Sequence, residues 1–285
     1  MLTFGYYPEA IDITEGSVCV SSLPNREGAV ACVSALSERT NGHWIYPPQM
    51  GFLDPMTREF VANPFQTRIF TLPKTHQITH AKSDSIDQLD FHIWSLSFFT
   101  GMRLTSENAG FLDATPIRPR TLTDFTLPKK ELRKSIDFAE QFWQRNREKS
   151  EQTKRFEAAI HALFLAQYPQ ALQFESFQYL YTALDALYRI KAVSLTLNKD
   201  VPHKRRIEWL CNQVDIDTPR WARPDDNGSQ LSEIRNPATH EGLYAMAPLG
   251  FALLGTAENR NVILEMQALV CRLLGSGCID FRCAA

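Results

Sequence analysis

The hydrophobic period of this chain changes once, near residue 128, and that change limits what the chain can fold into. Before it, short runs rich in β-branched and aromatic residues are broken by proline and glycine. Leu2–Tyr7, Ser17–Ser22, Ala29–Ala35, His43–Tyr46 and Arg68–Leu72 read as strands. Pro24, Gly28, Gly42, Pro47, Pro48, Pro55, Pro64 and Pro73 punctuate them. One stretch departs from this. Over Asp84–Thr100 the apolar residues Ile86, Leu89, Ile93 and Leu96 recur at three and four, which predicts a helix. The segment Gly101–Leu127 returns to irregular, strand-like sequence.

After Pro128 nearly everything has helical spacing. Lys129–Glu148 is amphipathic, with Leu132, Ile136, Ala139, Phe142 and Trp143 on one side. Thr153–Tyr168 follows, and Pro169 ends it. Leu172–Lys191 carries the strongest apolar stripe of the chain, from Phe174 through Tyr188. Further helices are expected over Lys204–Val214, up to Ile234, and over Asn259–Leu274. The expected architecture is a mixed α+β domain over 1–128, followed by an all-α, up-and-down helical bundle over 129–285. A chain of 285 residues is long enough for two such cores.

Composition removes several function classes. No apolar run approaches the roughly 20 residues of a membrane helix. The start, Met1-Leu-Thr-Phe-Gly-Tyr-Tyr, lacks a basic region before an apolar stretch, so a cytoplasmic protein is expected. The six cysteines include no C-x-x-C pair, which favours reduced thiols over a disulfide framework or a zinc site. Net charge is −2, far from the basic balance of a dedicated DNA-binding domain. Any nucleic-acid contact must be local. The compact basic cluster His203-Lys204-Arg205-Arg206 is either a solvated turn or a contact to a phosphate backbone. His76-Gln-Ile-Thr-His80 has the spacing of metal ligands on a helix, yet it lacks an intervening Glu and follows a strand-like run. No phosphate-loop, dinucleotide-binding or nucleophile-elbow motif occurs, and no cofactor or metal is expected.

Chemistry concentrates at Glu233-Ile-Arg-Asn-Pro-Ala-Thr-His-Glu-Gly242. Arg235 keeps its charge and offers a planar fork that fits two phosphate oxygens. His240 titrates near neutrality and can move a proton. Asn236 followed by Pro237 is a helix-start signature, because Asn caps and Pro tolerates the first helical position. A helix starting there aims unpaired N–H groups and the positive dipole end at an anion beside Arg235. A continuous helix through Pro237 would splay the pair by roughly 140° and cost about 3 kcal/mol.

The string Arg235-Asn236-Pro237-Ala238-Thr239-His240 resembles the R-N-x-x-x-H signature of HEPN-domain ribonucleases. The likeness extends in architecture over roughly 150–285, where a long apolar helix precedes the motif. It implies metal-independent RNA cleavage, with His240 as general base or acid, Arg235 stabilising charge on phosphorus oxygens, and Asn236 orienting phosphate or helix. Lys204, Arg205 and Arg206 would bind the RNA backbone. Asp185 is either the acid that the family's long helix carries near its site or a plain surface acid. One histidine per motif is too few for separate acid and base, so the resemblance implies a homodimer with a composite site. A mixed domain before such a bundle also resembles some bacterial abortive-infection proteins, which implies a toxin or antiviral effector and an antitoxin or regulatory partner. The other reading is a non-catalytic HEPN-like dimerisation or adaptor module.

Overall fold

The computed structural model describes residues 1–107, 110–147, 149–224, 229–231 and 257–276. A sheet-rich N-terminal region is followed by a helical one. The chain divides into two compact units, residues 1–145 with 168–170, and residues 146–167 with 171–285. The period change at 128 and the parting of the units at 145 are therefore different positions.

In the first unit a four-stranded antiparallel sheet has the order β1-β9-β3-β2, built from Leu2–Phe4 (β1), Ile13–Glu15 (β2), Val18–Ser22 (β3) and His76–His80 (β9). Ile78 pairs with both Leu2 and Val20, and Val20 pairs in turn with Ile13. Val18, Val20 and Ile78 are fully buried while Cys19, Gln77 and Thr79 are half-exposed, the period of two that a one-sided sheet requires. Two helices pack here: α2 (Ile86–Thr100) meets β1 and β9, and α3 (Arg133–Arg145) meets α2 and β2.

Helix α2 is buried almost all round. Leu89, Phe91, Ile93, Leu96, Phe98 and Phe99 are each at most 1% exposed, so it forms the centre of this unit's core. The Ser85 hydroxyl caps its start by accepting from Gln88 N at 3.3 Å. Gly101 ends it at φ 65°, where a Cβ would stand 2.8 Å from the Arg120 Cα.

Short pairs complete the unit: β4 (Thr40–Asn41) and β11 (Thr115–Pro116) flank β5 (Trp44–Ile45), and β8 (Ile69–Phe70) pairs with β10 (Phe111–Leu112). A separate hairpin, β6 (Gln49–Leu53) and β7 (Phe60–Gln66), exposes Phe52, Leu53, Phe60 and Phe65. One strand expectation is wrong. Ala29–Ala35 lies in α1 (Arg26–Ser34), with Ala29 and Val33 buried one turn apart. Its two valines suggested β structure, but the i, i+4 spacing of its inward residues and Glu27 in the first turn suit a helix.

Among the described residues of the second unit, every regular element is a helix. Helix α5 (Gln173–Ser194) is its hub and packs against α4 (Ser150–Leu165), α6 (Arg206–Asn212) and α7 (Ala257–Ser276). Phe177, Leu180, Leu184, Leu187 and Tyr188 form its inward stripe. Phe156, Ile160 and Leu163 answer from α4, and Val262, Met266, Leu269 and Leu273 from α7. Each such burial contributes roughly 1.5–3 kcal/mol before entropy is counted. Glu175 starts α5 by accepting the Leu172 N–H at 2.8 Å. Helices expected over 129–148, 153–168, 172–191, 204–214 and 259–274 are present over 133–145, 150–165, 173–194, 206–212 and 257–276, while most of the one expected up to Ile234 lies outside the described residues.

Candidate functional site

Arg235, Asn236 and His240 lie outside the described residues. The positions expected to support them, Asp185 and the basic run 203–206, are described and come together. His203–Arg205 form a single 3-10 turn after Pro202, and Arg206 begins α6. That turn splits the basic run in two. Lys204 and Arg205 are exposed and make no ion pair among the described residues, whereas Arg206 points inward with only 6% of its side chain exposed.

Arg206 sits at the centre of an acceptor shell. One guanidinium nitrogen donates to the Asp185 carboxylate on α5 and the other to Asp200 at 2.8 Å. Its Nε donates to the Val201 carbonyl at 3.2 Å. Its carbon lies 4.6 Å from the Tyr188 ring centroid, a cation–π contact. The Tyr188 hydroxyl donates to Asp200 and accepts the Val201 N–H at 2.9 Å. Burial first, then Asp200, pushes the Tyr188 phenol up. The Tyr188 hydrogen bond first, then Arg206 and Arg189, holds the Asp200 carboxyl below the usual range. A buried guanidinium already satisfied by two carboxylates has little to offer a phosphate. It fastens the 195–205 connection to α5 and sets the direction in which Lys204 and Arg205 leave the surface.

A second cluster, which the sequence reading did not single out, lies in the first unit. Glu140 on α3 accepts from Gln88 Nε2 at 2.9 Å, His92 Nε2 at 3.2 Å, Gln144 Nε2 at 2.9 Å and His80 Nε2 at 3.4 Å. The His92 hydrogen bond above all holds its pKa at about 2. A carboxylate saturated with donors and so weakly basic is an anchor between β9, α2 and α3, not a general base. Gln88 and His92 stand one turn apart on α2, and that i, i+4 polar pair on an apolar helix was the available signal.

His76 and His80 do not form a ligand pair. They occupy a strand, where four residues span roughly 13 Å. His76 Nε2 accepts the Ile11 N–H at 3.3 Å and its Nδ1 meets Thr75 Oγ1 at 2.9 Å, while its ring stacks on Phe4. His80 turns to Glu140 instead. Among the described residues, no three His, Cys, Asp or Glu side chains are arranged to hold a metal ion. Among those residues too, no helix is long and apolar enough to cross a membrane. No family model matches the chain, and neither a curated protein nor a solved structure matches it.

Proposed function

We propose that this chain is a metal-independent endoribonuclease of the HEPN type, acting as a homodimer, in the manner of a toxin or antiviral-defence effector. The observation that carries this reading is the run Arg235-Asn236-Pro237-Ala238-Thr239-His240 within the helical half. Two features support it. A long helix precedes the motif in the chain, and its acid Asp185 is paired with Arg206, the buried member of the basic run 203–206, leaving Lys204 and Arg205 exposed to meet a phosphate backbone.

In this mechanism His240 of one protomer removes the proton of a ribose 2′-OH, whose oxygen attacks the adjacent phosphorus. The partner's His240 gives a proton to the departing 5′-oxygen. Arg235 stabilises the charge that grows on the non-bridging oxygens, and Asn236 holds phosphate or helix end. The products are a 2′,3′-cyclic phosphate and a 5′-OH. Neither a metal nor a redox cofactor enters the balance.

The test is cleavage of RNA by wild type, His240→Ala and Arg235→Ala with EDTA present, reading the 3′ ends. His240→Ala is expected to slow cleavage by about 10²–10⁴-fold and Arg235→Ala by about 10²–10³-fold. Absence of cleavage by wild type, or equal cleavage by all three, discards the nuclease and leaves the adaptor module.

A further inference from the structure

The β6–β7 hairpin is exposed on both faces. Phe52, Leu53, Phe60 and Phe65 are 54–69% exposed, and Met56 at the turn is 90% exposed. With Met50 and Val61 the apolar surface is on the order of 800 Å², taking roughly 150–250 Å² for a large side chain. One partner gives about that area to a stable interface. Neither strand contains a charged residue. Among the described residues no third strand joins the pair, and an isolated two-stranded ribbon is marginal in water.

The two outer edges of the ribbon differ. Opposite Gln49 and Gly51 the strand β7 carries extra residues, a bulge that includes Pro64, which has no N–H to offer. Bulges and prolines are how sheets blunt an edge. Strand β6 has no proline and no charge over Gln49–Leu53. Asp54 N donates to the Glu59 carbonyl at 2.8 Å, and Thr67 N donates to the Pro48 carbonyl at 3.2 Å, so Pro48 and Asp54 turn toward the β7 side. Backbone polar groups alternate sides along an antiparallel strand. Gln49, Gly51 and Leu53 therefore turn their N–H and C=O groups to the open edge.

We propose that β6 pairs antiparallel with β6 of a second copy of this chain, about a two-fold axis through Gly51, giving a four-stranded sheet in the order β7-β6-β6-β7. Gly51 then meets its own counterpart, and Gln49 meets Leu53 of the second copy, all with outward-turned backbone groups. Met50 faces Phe52 of the second copy in the closer, non-hydrogen-bonded position, a sulfur–aromatic contact made twice. No like charges oppose each other along the seam. The outer edges of the new sheet are both β7, blunted by Pro64, so the assembly closes at two hairpins. A lipid surface fits less well, because the turn that would enter it carries Asp54, Arg58 and Glu59. The pairing does not rest on the nuclease reading, since every residue it uses belongs to the first unit.

The test is sedimentation velocity of the full chain over a wide concentration range, as wild type, Met50→Lys, Phe52→Glu and an equimolar mixture of the two variants. Flotation with phosphatidylserine vesicles is a separate arm. Each variant alone is expected to weaken self-association by about tenfold or more, since the axis introduces each substitution twice. In the mixture the new ammonium and the new carboxylate face each other across the seam, and association should return. That return separates a lost interface from a lost fold. It also reads the hairpin alone, whether or not the helical units pair as the nuclease reading requires. Equal association of wild type and both variants, or a mixture as weak as either variant, overturns the proposal. So does flotation of the wild type with the vesicles.

Discussion

The two units each hold a charged side chain in a shell of hydrogen-bonding partners, half-buried in the first and buried in the second, and the two charges have opposite signs. In the first, the Glu140 carboxylate is the centre and four side-chain N–H groups surround it. In the second, the Arg206 guanidinium is the centre and two carboxylates, a carbonyl and an aromatic face surround it. Both clusters tie a helix to a neighbouring element. They differ in how they answer to protons. A guanidinium keeps its charge at any pH a protein survives, whereas carboxylates and imidazoles do not. The centre of the second cluster is thus a permanent ion, and the centre of the first is a carboxylate that acid can neutralise.

The largest effect is expected where the permanent ion is removed. Arg206→Ala leaves Asp185 and Asp200 without their shared cation, exposes the Tyr188 face, and frees the connection before α6. Breaking a buried pair from one side typically costs about 3–5 kcal/mol. A comparable loss is expected in urea unfolding, carried by the helical unit. Arg206→Lys should recover less than half, because an ammonium cannot bridge both carboxylates while lying flat on the ring. A loss below about 0.5 kcal/mol for Arg206→Ala would show that the network is a surface ornament.

The next effect separates the units by pH. His76 is held at about 4, below its ordinary 6.5, chiefly by burial and then by Arg26. A buried imidazole kept neutral stabilises the fold fully above pH 6.5, and that contribution is lost as pH falls from 6.5 through 4. With a fully buried side chain the loss is on the order of 3 kcal/mol. Glu140 follows at lower pH. Its carboxylate is held at about 2 against an ordinary 4.5, so its contribution is complete above 4.5 and disappears as pH falls through 2. Between pH 6.5 and 4.5 the first unit should therefore weaken, while the Arg206 guanidinium stays charged. Urea unfolding followed across this window should show a slope that His76→Asn flattens and Arg206→Ala does not. An unchanged slope in His76→Asn would remove this histidine from the account.

Much of this architecture was legible because period is a local property. The α5 stripe from Phe177 to Tyr188 and the Val18/Val20 alternation each announce their element without reference to distant chain. The Ala29–Val33 segment was misread because a short run containing valine suits either period, and only its burial one turn apart decides. Clusters are harder to see, since they join residues far apart in sequence. Glu140 meets Gln88 across 52 positions, and Arg206 meets Asp185 across 21. Asp185 could be suspected from its place on the long helix, but Asp200 had no periodic context and was invisible. The basic run shows the limit most plainly. Four consecutive letters suggested one surface, and the 3-10 turn at 203–205 gave them two fates.

That division supports the smallest and most discriminating prediction. Lys204, Arg205 and Arg206 are neighbours of one charge, so a reading by charge alone gives their alanine variants the same behaviour. The structure separates them. Lys204→Ala and Arg205→Ala remove exposed side chains without an ion pair and should shift stability by less than about 0.5 kcal/mol, against the several expected at Arg206. Their effect should appear instead in RNA binding, where each lost phosphate contact lowers affinity alike for all sequences and reduces the salt slope by about 1. Filter binding of His240→Ala, with and without the two substitutions, from low to physiological salt would measure it. An unchanged slope would place Lys204 and Arg205 away from the RNA path and return the run to a solvated turn with a single inward arginine.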